Sequence, residues 1–274
     1  MAQFPLAVGG GSCSGTTTSS NATSGVRAVS AAATANTKGA WTELLASTVE
    51  DYDALLVHYA AATSNVSYLV DVGIGGAGAE VPIVSDIHTS IGNNASEWFV
   101  VPRAIPAGTR VSMRCASSTL SSQVRGALVG VKGGWFYPQG GGDISTYGAN
   151  AADSGGTQLD AGATANTYGA WVQLTASTAA DMKALCAKLG GINNATPTTG
   201  QGLLQLGVGA AAAEQPLVEI PFNMGTTIDN YGPLPEFWFP VSVPSGSRLA
   251  ARVMMTVTDV TDRLVDVVAY GWEA

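Results

Sequence analysis

The sequence predicts an all-β protein built from two tandem sandwich modules, and three observations lead to this prediction. The segment Thr34–Trp41 recurs as Thr164–Trp171, with Tyr168 in place of Lys38. Apolar and polar residues alternate with period two along both copies, which is typical of half-buried strands rather than helices. Short Pro-x-Gly segments separate the alternating runs and supply turns.

The repeat fixes the predicted domain organisation. The match extends beyond the tryptophans, and Ile105–Arg110 recurs as Val243–Arg248. The insertions that separate the matched runs belong in loops, where extra length costs little. We therefore expect an N-terminal arm at 1–24, a β-sandwich module at 25–133, a linker at 134–154 and a second β-sandwich module at 155–274.

Eight strands per module favour a jelly roll over an immunoglobulin topology. The fold class predicted is thus all-β, with two tandem jelly-roll-like β-sandwich domains and an extended N-terminal arm. The segment Thr178–Leu189 stays open between strand and helix, because its apolar residues also have helical spacing. In the first module the strands are predicted near 26–33, 39–46, 53–61, 67–76, 80–88, 96–102, 108–117 and 122–131.

Two segments outside the strands carry apolar side chains that suggest contacts. The Gly/Ser/Thr-rich arm has Phe4 and Leu6 near its tip, and it is either a plain tail or a hook that a partner orders. The linker holds the consecutive aromatics Trp135, Phe136 and Tyr137. We expect these three to dock on a module or on a neighbouring chain.

Composition argues against several classes of function. The net charge of −8 and the absence of basic runs argue against nucleic-acid binding. The apolar runs are too short to span a membrane, and the N-terminus does not look like a signal peptide. Three cysteines without a spacing pattern argue against a disulfide framework. The role of Cys13 stays open.

Motifs for nucleotide, metal or nucleophilic chemistry lack their required context. The G-x-G-x-x-G match at Gly73–Gly78 is followed by Pro82 and strand-like residues instead of a helix, so we interpret it as a turn or bulge. The two histidines, His58 and His88, lie far apart in sequence, and the second module has none. This argues against a zinc site and a Ser-His-Asp triad.

The carboxylates are likewise interpreted as structural. Asp51 and Asp53 could form an acid pair or a calcium site, but Lys183 stands opposite Asp53 in the second copy, so a turn-capping role is favoured. Glu80 and its equivalent Glu214 are single acids that precede a strand. We therefore predict no catalytic residue, no cofactor and no metal, and a protein that is not an enzyme.

The equivalent Trp41 and Trp171 leave two interpretations open. By alternation they share a face with Glu43 and Gln173, where an outward indole could stack on a sugar or on a neighbouring subunit. Packing over the edge of the sheet is the favoured interpretation.

The repeated motifs allow a resemblance to be stated. Gly-Ala-Trp-x-x-Leu, then Ala-Ser-Thr with a following Asp, then a strand ending in Gly-x-Gly, then Ile-Pro-Ala-Gly-Thr-Arg, resemble virion structural proteins of tailed bacteriophages. The resemblance implies a capsid decoration, cement or head-spike subunit, with a tail-fibre or baseplate module that binds host glycans as the alternative.

It also implies that the partners are other virion proteins, either the major capsid protein or tail proteins, in addition to further copies of the chain. Nucleic acid and membrane are not expected as partners, and a host glycan belongs to the alternative. The place of action would be the virion, assembled in the host cytoplasm. The residues that we expect at interfaces are Phe4, Leu6, Trp41, Trp135, Phe136, Tyr137 and Trp171.

Overall fold

The computed structural model of the protein describes residues 27–61, 66–91, 96–131, 142–190, 200–224, 238–257 and 264–274. No helix in these ranges is long and apolar enough to cross a membrane. The first module contains β1 (Arg27–Ser30), β2 (Thr42–Leu45), β3 (Ala54–Ala61), β4 (Val66–Ile74), β5 (Val81–Ile91), β6 (Ser96–Val101), β7 (Val111–Ser117) and β8 (Gln123–Val131). The second contains β9 (Ile144–Tyr147), β10 (Thr157–Asp160), β11 (Val172–Thr175), β12 (Met182–Gly190), β13 (Gly200–Val208), β14 (Gln215–Met224), β15 (Phe239–Val243), β16 (Leu249–Met255) and β17 (Leu264–Glu273).

Both modules are antiparallel sandwiches with the same topology. The first pairs its strands in the orders β1-β8-β3-β6 and β2-β7-β4-β5, and the second in the orders β10-β17-β12-β15 and β11-β16-β13-β14. Eight strands arranged in these two sheets form a jelly roll. The predicted all-β class with two jelly-roll-like sandwiches is confirmed, and all eight strands predicted for the first module are present. The predicted N-terminal arm at 1–24 lies outside the described residues.

Alternation along the strands builds one core inside each sandwich. In the first module Val57, Val70 and Met113 point between the sheets, and in the second module Leu204 and Val253 do so. Apolar burial of this kind is the main favourable contribution to folding, at roughly 25 cal/mol per Å². Each sandwich therefore has a core between its own two sheets.

Two segments needed the structure to assign them. The segment Thr178–Leu189, left open above between strand and helix, forms strand β12 from Met182 onwards, so its helical spacing does not indicate a helix. Residues 144–147, assigned above to the linker, form strand β9 and pair with β17 from Ala269 to Trp272. The predicted linker is therefore too long, because hydrogen bonding to β17 makes its later part a strand of the second module.

The sheet β10-β17-β12-β15 is buried on both faces along its two central strands, β12 and β17. Its inner side chains, such as Val267 and Leu185, fill the core of the second module. Its outer side chains Cys186, Tyr270 and Trp272 join the hydrophobic core of the first module instead. They close the open side of the first sandwich along its edge strands β5 and β6, so the two jelly rolls share a buried interface.

Candidate functional site

The predicted interface residue Trp41 lies on the outer face of the sheet β2-β7-β4-β5 and is partly buried there. The indole covers Gly73, where a Cβ would lie only 2.8 Å from Cη2 of Trp41. The guanidinium of Arg114 lies 4.5 Å from the ring centroid on one face of the indole. Cation–π contact and the missing Cβ thus fix Trp41 against its own sheet.

Trp171 repeats this arrangement in the second module. Its Cη2 lies 2.7 Å from the position that a Cβ of Gly207 would take. Arg252 stacks on it at 4.3 Å and also on Tyr168 at 4.5 Å. Both tryptophans therefore pack over their own sheet, as favoured from sequence, but over the inner strands β4 and β13 rather than over the sheet edge. Contact of either tryptophan with another chain stays a prediction.

A closed network of charges lies beside Trp41. The carboxylate of Asp71 is 2% exposed and accepts from Lys38 Nζ at 2.6 Å and from Arg114 Nε at 2.8 Å. Asp86, at a β-bulge with φ of 57°, accepts from the same lysine at 2.7 Å. Two carboxylates and two cations neutralise one another here.

The second module replaces two of these charges, Asp71 and Lys38, with neutral polar groups, and its cluster keeps an arginine and a carboxylate. Gln205, the equivalent of Asp71, accepts from Arg252 Nε at 2.8 Å and donates to Glu219 at 2.6 Å. The hydroxyl of Tyr168, the equivalent of Lys38, donates to Glu219 at 2.6 Å. Its hydrogen bond, followed by that of Gln205, lowers the pKa of Glu219. The geometry is shared while the charges differ, which indicates a structural role.

The Gly-rich motif is a turn braced by an ion pair in both copies. Arg110 donates to Glu80 at 2.7 Å, to Glu43 at 2.8 Å and to the carbonyl of Gly75 at 3.2 Å. Its hydrogen bond lowers the pKa of Glu80. In the second module Arg248 makes the corresponding contacts to Glu214, to Gln173 and to the carbonyl of Gly209. These contacts support the turn interpretation of Gly73–Gly78 and the structural interpretation of both glutamates.

The Ser-Thr…Asp and Pro-x-Gly motifs form a clamp. Thr48 donates to the carbonyl of Pro106 at 2.6 Å and accepts from the N–H of Thr109 at 2.9 Å. The carboxylate of Asp51 accepts from the N–H of Ala107 at 2.7 Å. Thr178 and Asp181 make the equivalent contacts in the second module. Asp51 therefore caps a turn, as the sequence analysis favoured.

The interface between the modules holds the most unusual polar group of the described chain. The His88 side chain is buried, and neither ring nitrogen has a hydrogen-bond partner. Its ring lies over Gly190, where a Cβ would come within 1.8 Å of Cε1. Burial, and secondly the nearby Lys188, lower the pKa of His88 to about 4. The imidazole is therefore neutral at ordinary pH.

Hydrogen bonds and aromatic contacts complete this interface. The His88 backbone N–H donates to the Tyr270 hydroxyl at 2.8 Å, and that hydroxyl donates to the carbonyl of Asp86 at 2.9 Å. Trp238 Nε1 donates to the carbonyl of Val100 at 3.0 Å. Phe99 meets Tyr270 and Trp238 edge to face, with centroids 4.9 and 6.1 Å apart. Polar and aromatic contacts together hold one relative orientation of the modules.

Lys188 spans the same junction from β12. Its Nζ donates to the carbonyl of Trp98 at 2.8 Å, lies 3.6 Å from the Glu97 carboxylate and stacks over Tyr59 at 5.7 Å. Sequence reasoning missed this interface, although β17 offers a signal, since its residues Val267–Ala269 are apolar without alternation. A strand buried on both faces reads as a continuous apolar run.

The remaining predicted contact residues, Phe4, Leu6, Trp135, Phe136 and Tyr137, lie outside the described residues, as does Cys13. In the described ranges no group of three or more His, Cys, Asp or Glu side chains is arranged to bind a metal. Cys115 and Cys186 are buried thiols, and burial raises the pKa of Cys115 to about 12. The described polar clusters are paired internally and brace turns, sheets and the module interface.

Neither a protein-family model nor a curated protein sequence matches the chain. Among solved structures, the chain is similar to the CBM22-1-CBM22-2 tandem domain of Xyn10C from Paenibacillus barcinonensis, with 10% identity, a TM-score of 0.28 and 92% of each chain covered. It is also similar to a chain of Broad Bean Stain Virus, with 9% identity, a TM-score of 0.32 and coverage of 90% of this chain and 87% of the viral chain. Likenesses this low assign no function.

Proposed function

We propose that this chain is a non-catalytic structural subunit of a tailed-phage virion, most specifically a capsid decoration, cement or head-spike protein. The observation that carries the proposal is the aromatic interface between the two jelly rolls. Ligand sites commonly form at domain junctions, but here Trp238, Tyr270 and Trp272 fill the junction. The fused modules form a stiff block that suits a fixed place in an assembly.

The polar clusters agree with this role. The clusters at Asp71 and Arg110 have counterparts at Gln205 and Arg248, and each couples side chains to one another or to a turn. A catalytic group needs access to a substrate and a pKa matched to its task. Arg110, Arg248 and Asp71 instead hold strands and turns together, which suits a structural protein.

The proposal can be tested by adding purified chain back to particles of the phage that encodes it, after deletion of its gene. We expect saturable, stoichiometric binding, measured by co-sedimentation, to separated heads. A chain that lacks residues 2–24 should fold normally but bind less if the arm anchors it. Absence of binding to both heads and tails would overturn the proposal.

The receptor-binding alternative has one observation in its favour. Trp98 is 39% exposed on β6, whereas Trp41 and Trp171 are stacked under arginines. In that alternative the chain binds tails and host envelopes, and Trp98→Ala abolishes envelope binding without unfolding the protein. Val81→Ala is the matched control, because Val81 is exposed on the other sheet of the same module.

A further inference from the structure

One buried carboxylate of the chain has no cation beside it. Three acids of the described residues are buried, namely Asp71, Glu214 and Asp266. Asp71 and Glu214 are both paired with arginines at short range. Asp266, on β17, is 6% exposed, yet no lysine or arginine of the described ranges contributes to its electrostatic surroundings. Burying a carboxylate in this way is costly unless it is protonated or binds a metal ion.

A second carboxylate, that of Asp153, lies beside Asp266. Both approach the place that a side chain of Gly155 would occupy, because a Cβ there would lie 2.6 Å from Oδ2 of Asp266 and 2.9 Å from Oδ1 of Asp153. Glycine leaves this space free. Since Ca²⁺ binds oxygens at about 2.3–2.6 Å, a single ion beside the glycine can reach both carboxylates.

Hydrogen bonds satisfy these two carboxylates only in part. Asp153 accepts from the N–H of Gly155 and from the side chain of Asn150, both at 2.8 Å. The N–H of Gly156 bonds to Asp266, but Oδ1 of Asp266 is buried and has no hydrogen-bond partner among the described residues. Buried polar atoms normally have a partner. An unpartnered carboxylate oxygen next to a second carboxylate therefore indicates a place for a positive ion.

The repeat shows that the jelly roll itself does not require this acid. Asp266 on β17 pairs with Gly190 on β12. The same register position in the first module is Arg125 on β8, which pairs with Ala60 on β3. The carboxylate is thus an addition to the second module and not a part of the shared fold.

The turn that holds Asp153 also contacts the first module. The side chain of Asn36 donates to the carbonyl of Ala152 at 2.6 Å, and the hydroxyl of Ser154 donates to Oδ1 of Asn36 at 3.0 Å. Ser154 is fully buried and has a left-handed backbone, with φ of 58°. Whatever fixes this turn against β17 therefore also fixes a contact between the two modules.

We propose that Asp153 and Asp266 bind a calcium ion that holds the turn at 150–155 against β17. Carboxylate oxygens are the hard donors that Ca²⁺ prefers, and its flexible coordination lets water and backbone carbonyls complete the shell. The ion neutralises both acids and, through Asn36, reinforces the junction between the modules. Mg²⁺ is a poorer fit, because it demands near-ideal octahedral geometry and gives up its water reluctantly. The calcium site is independent of the proposed role in a virion.

Isothermal titration calorimetry of the full chain, after EDTA treatment and removal of the chelator, measures the binding of Ca²⁺ directly. The titration is done at pH 8, because burial raises the pKa of Asp266 to about 7 and the acid is mostly ionised above that value. We expect one Ca²⁺ per chain, with a Kd on the order of 10⁻⁴ M, and weaker binding of Mg²⁺. Asp266→Asn and Asp153→Asn should each weaken Ca²⁺ binding about tenfold or more. Asp143→Asn is the matched control, because Asp143 is an exposed acid of the same module and should leave binding unchanged.

Hydrogen exchange locates the bound ion. The N–H groups of Gly155 and Gly156 bond to the two carboxylates, so Ca²⁺ should slow their exchange and leave that of β4 in the first module unchanged. Circular dichroism checks that each variant is folded. Gly155→Ala is a further variant that keeps both acids, and its methyl should weaken binding by displacing them.

Two results would overturn the calcium site. One is a wild-type chain that binds no Ca²⁺ at millimolar concentration at pH 8. The other is binding that Asp153→Asn, Asp266→Asn and Gly155→Ala all leave unchanged, which would place the ion elsewhere on this acidic chain. Either result leaves the proposed function standing, because attachment to phage heads is measured separately.

Discussion

Acidification should weaken the protein through His88. In the folded chain burial, and then Lys188, lower the pKa of His88 to about 4, whereas the ordinary value is 6.5. Between these values the unfolded chain binds a proton that the folded chain does not. The stability that neutral His88 contributes is therefore present above pH 6.5 and is lost as the pH falls towards 4. A second cation beside Lys188 would then enter a buried interface.

The expected loss can be worked out from the two values. A tenfold difference in proton affinity corresponds to about 1.4 kcal/mol, so the gap between 6.5 and about 4 predicts a loss of about 3 kcal/mol between pH 7 and pH 4. The assay is urea unfolding of wild type and His88→Leu at both pH values. The difference between the two proteins cancels the titration of groups that they share. His58→Leu is the matched control, because His58 is only partly buried and partial burial alone lowers its pKa.

The decisive quantity is how the stability difference between wild type and His88→Leu changes with pH. It should shift against wild type by about 3 kcal/mol at the lower pH, and the corresponding shift for His58→Leu should be clearly smaller. An unchanged difference for His88→Leu, or a larger shift at His58, would refute the burial argument.

Three further predictions concern single positions. Burial raises the pKa of Asp266 to about 7. Protonated Asp266 therefore stabilises the folded chain at low pH, and this stabilisation is lost as the pH rises towards 7. Asp266→Asn should remove this pH dependence from the free energy of unfolding measured at pH 5 and pH 8. Gly190→Ala should destabilise by about 1–3 kcal/mol, because the new methyl overlaps a buried ring, while Gly76→Ala, which meets nothing within 4 Å, should be close to neutral in thermal unfolding. Thr48→Val and Thr178→Val should each cost about 1–3 kcal/mol in chemical unfolding, since each leaves a backbone carbonyl and an N–H without the threonine partner.

The repeat and the period-two alternation were enough to predict the eight strands of the first module and the jelly-roll-like sandwich fold of both copies. The repeated Asn36 and Asn166 both take a left-handed backbone, with φ of 59° each, and their N–H groups bond to the carbonyls of Ser117 and Met255. Such local chemistry is visible in sequence because Asn tolerates this conformation. The turn clamps could also be predicted, because Asp and Ser/Thr side chains bond to nearby backbone groups and Pro and Gly favour turns.

The interface between the two modules could not be predicted from sequence, because it depends on how the modules pack against each other. In β12, Ala184 and Cys186 face the first module while Leu185 and Leu189 face the second core. A strand buried on both sides loses its alternation and can mimic helical spacing. Strand β9 was missed because long-range pairing with β17, rather than its own four residues, makes it a strand.

Some features of the candidate site could likewise be predicted from sequence, and others could not. The tryptophans could be found from the repeat, but their orientation depends on Gly73 and Gly207, which lie on other strands and leave room for the indoles. His88 looked like an isolated histidine in sequence. Its burial involves Gly190 and Tyr270 of the other module, which are far from it in sequence.

A single-particle reconstruction of the purified phage that encodes this chain would show whether the chain is a structural subunit of the virion. We expect density on the particle at regular, stoichiometric positions that fits both jelly rolls together as one rigid body, with Trp238, Tyr270 and Trp272 inside the junction. A particle that lacks such density, or density in which the modules are separated by solvent, would contradict it.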